Sequence, residues 1–156
     1  MRWDIRPGDG AGPLHFGASA AHVAAILGAP LRVKTDPGSS LPGSETRALD
    51  LPILHYEKGS LVEISFGLQV PGVSLDGVAL APDNRPDALR FIEKSFGPLV
   101  ESFGFVVSYR ASLSLTGFHD GDDDQFAVNV FARADTMASD LRRVPFFSGS
   151  CKLGGP

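Results

Sequence analysis

The sequence predicts an α+β fold: an antiparallel sheet with two short helices packed on one of its faces. Apolar residues recur at helical spacing in two segments, residues 19–27 and 85–96. Several other segments alternate apolar and polar residues, which is typical of strands with one packed face and one solvated face. The chain has 156 residues, which is enough for one domain with a core of its own.

The first helix is predicted from its two ends and its apolar face. Ser19 can accept hydrogen bonds from the free N–H groups of a first turn, so it is expected to cap the helix. Val23, Ile26 and Leu27 recur at helical spacing and form the face that must be buried. Gly28 fits the left-handed position after a last turn, so the helix is expected to end there.

The second helix is predicted by the same kinds of signal. Residues 83–86, Asp-Asn-Arg-Pro, offer two candidate caps and a proline for the first turn. Leu89, Ile92 and Phe96 lie on one apolar face, and the Gly-Pro pair at residues 97–98 ends the segment. We expect the apolar faces of both helices to belong to the core.

The clearest hairpin joins residues 49–56 to residues 61–66, where Val62, Ile64 and Phe66 alternate with the residues between them. Further strand-like segments lie at residues 31–33, 73–80, 99–109, 111–118 and 125–131. Residues 35–47 are rich in Pro, Gly, Ser and Thr and are expected to form an exposed loop.

The two halves of the chain share a pattern that favours a pseudo-repeat. Each helical segment follows a short strand and a polar cap, ends at a Gly/Pro signal, and precedes segments that pair as antiparallel strands. The halves have little sequence identity, so ordinary helix punctuation is the alternative explanation. We expect residues 1–134 to form a single domain and residues 135–156 to be a partly disordered C-terminal extension, because the apolar pattern ends near residue 132.

Composition excludes several classes of function. The formal charge of −4 argues against a nucleic-acid partner, because a protein that binds nucleic acid needs a basic surface to neutralise the phosphates. No run of about 18 apolar residues predicts a membrane span, and the first residues lack the apolar segment of a secretory signal. We therefore expect a cytoplasmic protein without a membrane partner. The single cysteine, Cys151, excludes an internal disulfide and a cysteine-rich zinc site.

The candidate catalytic residues form no recognisable motif. The four histidines do not have the spacing of a metal-binding helix, and neither a nucleophile elbow nor a phosphate-binding loop is present. The sequence therefore predicts a protein that is not an enzyme and carries no metal or cofactor. The alternative is a small enzyme with dispersed residues, for which His119 is the candidate centre.

One acidic turn concentrates charge. Residues 119–124 carry the carboxylates of Asp120, Asp122, Asp123 and Asp124. A solvated hairpin tip, a contact with a basic partner, and a calcium site all fit these side chains, although the order of an EF-hand loop is missing. For a partner contact, the tip is expected to project away from the helices, with Phe118 and Phe126 as candidate apolar anchors.

The opening of the chain resembles a group of small bacterial proteins. In that group a Pro-Gly-x-Gly-x-Gly turn, a Gly-x-Ser and a short helix ending in Leu-Gly-x-Pro follow one another; here they are residues 7–12, 17–19 and 27–30. Members recur among the immunity proteins of polymorphic and contact-dependent toxin systems. The layout also resembles the helix-on-sheet repeats of beta-lactamase inhibitor protein and the small domain of outer-membrane assembly lipoproteins.

The resemblance implies a cytoplasmic immunity protein that binds and blocks a cognate secreted bacterial toxin. Many such toxins act on nucleic acids and are basic, so an acidic inhibitor would be attracted to them. The partner-binding residues would then be Asp120, Asp122, Asp123, Asp124, Phe118 and Phe126. The alternatives are a structural or regulatory domain without a toxin partner and the dispersed enzyme.

Overall fold

The computed structural model describes residues 1–133. The predicted extension at 135–156 and Cys151 lie outside the described residues. None of the helices in the described range has the length and apolar composition that crossing a membrane requires.

Residues 3–131 form two consecutive units with a similar order of elements. The first unit consists of β1 (Trp3–Arg6), β2 (Gly10–Ala11), β3 (Leu14–His15), α1 (Ala20–Leu27), β4 (Arg32–Thr35), β5 (Pro42–Thr46), β6 (Ile53–Glu57) and β7 (Ser60–Gly67). The second unit consists of β8 (Val73–Leu75), β9 (Val78–Ala79), α2 (Arg85–Phe96), β10 (Val100–Ser102), β11 (Phe105–Ser108), β12 (Leu113–Thr116) and β13 (Ala127–Phe131). Each unit runs from short strands through one α-helix to a four-stranded antiparallel meander, as a pseudo-repeat requires.

The two meanders join into one eight-stranded sheet with the order β10-β11-β12-β13-β7-β6-β5-β4. The junction is the antiparallel pair of β13 and β7, in which Val128 lies opposite Phe66 and Val130 opposite Ile64. All four of these side chains are buried. One face of the sheet is therefore apolar across both units, and the prediction of an antiparallel sheet in an α+β fold is confirmed.

A second sheet was not predicted. It has five short strands in the order β3-β2-β1-β8-β9, and β1 and β8 pair in parallel. The predicted antiparallel sheet is therefore accompanied by a smaller sheet that the sequence pattern did not indicate. Strands of two to four residues are too short to display an alternating pattern, and the β1–β8 pair joins segments that are far apart in sequence.

Two segments differ from their sequence predictions. Residues 99–109 form the hairpin of β10 and β11 rather than one strand, because Phe103 and Gly104 both adopt positive φ and reverse the chain. Residues 35–47, expected to be a loop, contain β5, which pairs with β4 and β6. The strand was not predicted because the residues just before it, 37–40, are types that favour turns.

Both helices pack on the apolar face of the eight-stranded sheet. Ser19 Oγ accepts a hydrogen bond from the His22 N–H at 3.1 Å, and Gly28 ends α1 with a φ of +86°. Val23 and Ile92 are fully buried in the main core, as predicted. The other predicted core residues are half-buried and pack against its margin: Ile26, Leu27, Leu89 and Phe96.

A buried polar network ties α1 to the sheet. The Arg47 guanidinium donates to the Gly28 carbonyl at 2.9 and 3.1 Å and to Glu45 Oε1 at 3.1 Å. The Tyr56 hydroxyl donates to the same Glu45 oxygen at 2.8 Å. Burial, followed by the hydrogen bond to Glu45, raises the pKa of Tyr56. The network satisfies a carbonyl at the end of α1 and pairs the two buried charges.

We expect Ile92→Ala to lower the free energy of unfolding by about 2–5 kcal/mol, because it leaves a cavity in a fully buried site. Leu27→Ala should cost distinctly less, because the half-buried Leu27 side chain is already partly in water. Urea denaturation of both variants measures the difference. Equal losses would contradict the packing described for the two helices.

The Tyr56 network predicts a loss of stability in alkali. Since the pKa of Tyr56 is raised in the folded state, its contribution is fully present below the unfolded pKa of about 10 and is lost above it. The difference in unfolding free energy between the parent protein and Tyr56→Phe should fall by about 1.4 kcal/mol per pH unit above that point. Urea denaturation of both proteins between about pH 8 and pH 11 tests this. A difference that stays constant with pH would contradict the role of the buried hydroxyl.

Candidate functional site

The acidic turn between β12 and β13 is held by its own backbone and side chains. Asp120 Oδ1 accepts from the Asp122 N–H at 3.2 Å, and Asp122 Oδ1 accepts from the Asp124 N–H at 3.0 Å. A Cβ at Gly117 would lie 2.3 Å from the Asp122 carbonyl oxygen, and Gly117 has a φ of +74°. Only glycine therefore allows the turn to fold back so closely against the end of β12.

Arg85, the first residue of α2, fastens the turn to the helix. Its buried guanidinium forms an ion pair with the Asp123 carboxylate and lies 5.3 Å from the centre of the Phe126 ring. A cation in the first turn of a helix is unfavourable beside the positive end of the helix dipole, so the carboxylate offsets an electrostatic cost. The expectation that the tip projects away from the helices is therefore wrong.

Phe118 and Phe126 lie beneath the turn rather than on its surface. Their rings are stacked with centroids 4.8 Å apart, and they are only 4% and 7% exposed. Both residues belong to the main core. Their side chains support the acidic turn from inside, so they do not offer apolar surface to a partner in this conformation.

The four carboxylates of the turn differ in their surroundings. Asp123 is mostly exposed but paired with Arg85, whereas Asp120 and Asp122 each accept a backbone hydrogen bond. Asp124 is exposed, and within residues 1–133 its carboxylate has no hydrogen-bond or ion-pair partner. Three of the four side chains thus help to shape the turn, while all four keep negative charge at one place on the surface.

Exposed apolar side chains lie on both sides of the acidic turn. Val106 pairs with Leu115, so Phe105 lies beside the end of β12 from which the turn leaves. Ala127 pairs with Gly67, so Leu68 lies at the same end of the sheet. Phe105 and Leu68 are both 40% exposed. Neither residue was predicted to belong to the site, because an apolar residue at a strand end gives no signal of the side to which it points.

In the part of the chain that the structure describes, His119 is paired with a glutamate and has no nucleophile beside it. His119 Nε2 lies 3.3 Å from Glu101 Oε1, which orients the imidazole. The other ring nitrogen, Nδ1, is buried and has no hydrogen-bond partner among residues 1–133. In a catalytic triad that second nitrogen contacts the hydroxyl or thiol that it activates. Within residues 1–133, the His119–Glu101 pair makes no such contact.

A second group of polar residues lies on the open face of the eight-stranded sheet. Ser65 Oγ donates to Glu63 Oε2 at 3.0 Å, and His55 Nε2 lies 3.8 Å from the same oxygen. The carboxylate stands between the hydroxyl and the imidazole, so the histidine does not activate the serine. Within residues 1–133, no three His, Cys, Asp or Glu side chains are grouped so that they can hold a metal ion.

Comparison of the chain with family models, with curated proteins and with solved structures finds no match.

Two single substitutions can separate the structural role of the acidic turn, its ion pair with Arg85, from its exposed charge. Asp123→Asn should lower the free energy of unfolding by about 1 kcal/mol, because the buried Arg85 guanidinium loses its charged partner. Asp124→Asn is the matched control and should change stability by less than about 0.5 kcal/mol. Urea denaturation of both variants provides the measurement. Equal effects would show that the Arg85–Asp123 pair does not hold the turn.

Proposed function

We propose that this chain is a non-enzymatic immunity protein that binds and blocks a cognate secreted bacterial toxin in the cytoplasm. The observation that carries the proposal is the acidic turn: a fixed segment that presents four carboxylates between two exposed apolar side chains, Phe105 and Leu68. In protein–protein contacts, a few apolar anchors are typically surrounded by a polar rim, and the carboxylates of the turn would belong to that rim.

Fixation of the turn favours binding. The hydrogen bonds of Asp120 and Asp122, the Arg85–Asp123 ion pair and the tight contact at Gly117 all restrict the turn before any partner arrives. Binding of a partner would therefore cost less conformational entropy at this turn than it would at a mobile loop, which would have to become ordered.

Charge points to a basic partner. The chain has a formal charge of −4, and the acidic turn concentrates four carboxylates within five residues. A basic toxin that acts on nucleic acids would be attracted over long distances to such a turn, and this attraction would mainly increase the association rate. Phe105 and Leu68 would then supply the apolar contact that Phe118 and Phe126 cannot supply from the core.

The alternatives have less support from the geometry. Against an enzyme stand the position of Glu63 between Ser65 and His55 and, among residues 1–133, the lack of a nucleophile at His119 Nδ1. A structural or regulatory domain without a toxin partner would also use a fixed surface, so a binding experiment must separate it from the immunity protein.

The test is a triple substitution, Asp120→Asn/Asp122→Asn/Asp124→Asn, which leaves the Arg85–Asp123 pair intact. Asparagine Oδ1 can still accept the backbone hydrogen bonds of the turn, so folding should be preserved. The binding partner used in the test is the product of the neighbouring gene, which we expect to be a secreted protein with a toxic C-terminal domain. We expect binding to weaken about tenfold at about 50 mM salt and by a smaller factor at about 300 mM, where ions screen the charges.

The matched control is Glu57→Gln/Asp76→Asn/Glu93→Gln, which removes the same number of negative charges away from the turn. This control should bind the partner like the parent protein. An unchanged affinity of the triple variant at both salt concentrations would move the contact elsewhere, in the first place to the open face of the sheet. A complete lack of binding by the parent protein would favour the domain without a toxin partner.

A further inference from the structure

The strand β4 is one outer edge of the eight-stranded sheet. It pairs with β5 on one side and has no strand on its other side within residues 1–133. All four of its residues, Arg32–Thr35, are exposed. An outer strand of this kind leaves alternate backbone N–H and C=O groups available for pairing with another extended chain.

The side chains of this edge alternate in character. Val33, which is 48% exposed, lies opposite Glu45 and is in register with the buried Leu54, so it belongs to the face that packs the helices. Lys34 lies opposite Ser44 and is in register with His55, so it belongs to the open face. Arg32 shares the face of Lys34 because side chains two residues apart in a strand point to the same side.

A second copy of the chain is a poor occupant of this edge. Antiparallel self-pairing centred on Val33 would place Arg32 opposite Lys34 of the other copy, and self-pairing centred on Arg32 or on Lys34 would place that cation opposite itself. Like charges directly opposite each other destabilise a strand pair. The two cations therefore discourage self-association and favour a strand that carries negative charge.

The surroundings of Lys34 also favour a polar occupant on the open face. A cavity of about 430 Å³ opens beside it and is lined by Thr35, Asp36, Ser44 and His55 among others. On the opposite side, Leu31 immediately precedes β4 and is 80% exposed. An added strand would thus meet cations and a polar cavity on one face and apolar side chains on the other.

We propose that β4 binds an extended segment of a partner protein in which acidic residues alternate with apolar residues. The segment adds a ninth strand to the eight-stranded sheet, its carboxylates facing Arg32 and Lys34 and its apolar side chains extending the surface of Leu31 and Val33. This surface is independent of the acidic turn and does not require that the partner be a toxin.

The experiment uses two synthetic peptides, each of eight residues with acetylated and amidated ends: one alternates Glu with Val, the other alternates Lys with Val. Binding to the full chain is followed by NMR, through amide chemical shifts and amide hydrogen exchange. The Glu peptide should shift the β4 amides and slow the exchange of every second one. The Lys peptide should bind at least about fivefold more weakly, because each of its charges opposes a cation of β4.

Charge reversal provides the decisive variant. Arg32→Glu/Lys34→Glu should weaken binding of the Glu peptide at least about fivefold and should strengthen binding of the Lys peptide. Lys58→Glu/Lys94→Glu, which reverses two exposed cations away from this edge, should bind like the parent protein. Circular dichroism of both variants confirms that the fold is retained.

Several outcomes would overturn the proposal. The Glu peptide leaves the β4 amides unchanged, or both peptides bind equally well, if the edge does not select an acidic strand. Protection of the β4 amides in the free protein that grows with protein concentration would assign the edge to a second copy. Protection that is independent of concentration would assign it to the chain itself.

Discussion

The antiparallel pairing of β13 with β7 is the contact on which the rest of the fold depends. Each half of the chain forms a meander that, by itself, would have two exposed edge strands. The pairing of residues 63–67 with residues 127–131, five residue pairs in all, covers one edge of each meander. Their register places Val128 against Phe66, so the apolar faces of the two meanders become one surface on which both helices pack. The same pairing leaves β4 and β10 as the outer strands of the sheet.

Two buried arginines then connect the helices to the strands. Arg47 reaches the carbonyl at the end of α1, and Arg85 connects the start of α2 to Asp123. A buried charge costs solvation free energy unless it is paired, so each arginine depends on the carboxylate that faces it, Glu45 in the first case and Asp123 in the second. The acidic turn is consequently part of the folded framework as well as a charged surface.

The candidate site was predictable in its charges and not in its apolar part. Because the four aspartates lie within five consecutive residues, the sequence alone predicted that their charges would cluster. Phe118 and Phe126 lie outside the alternation of β12 and β13, so the pattern did not determine whether their rings point inward. Arg85 offered one signal, since a cation in a first helical turn is unfavourable without an acidic neighbour. Which carboxylate would supply that neighbour depended on the tertiary structure.

The sequence by itself determined the local elements of this protein. The ends of α1 follow from Ser19 and Gly28, because capping and left-handed conformation depend on neighbouring residues only. The tertiary structure decided the rest. Strand β1 forms its parallel hydrogen bonds with β8, which is distant in sequence. Strand β5 depends on hydrogen bonds to its neighbour β6. Short strands carry too little pattern to specify their partners, so their pairing depends on contacts that exist only in the tertiary structure.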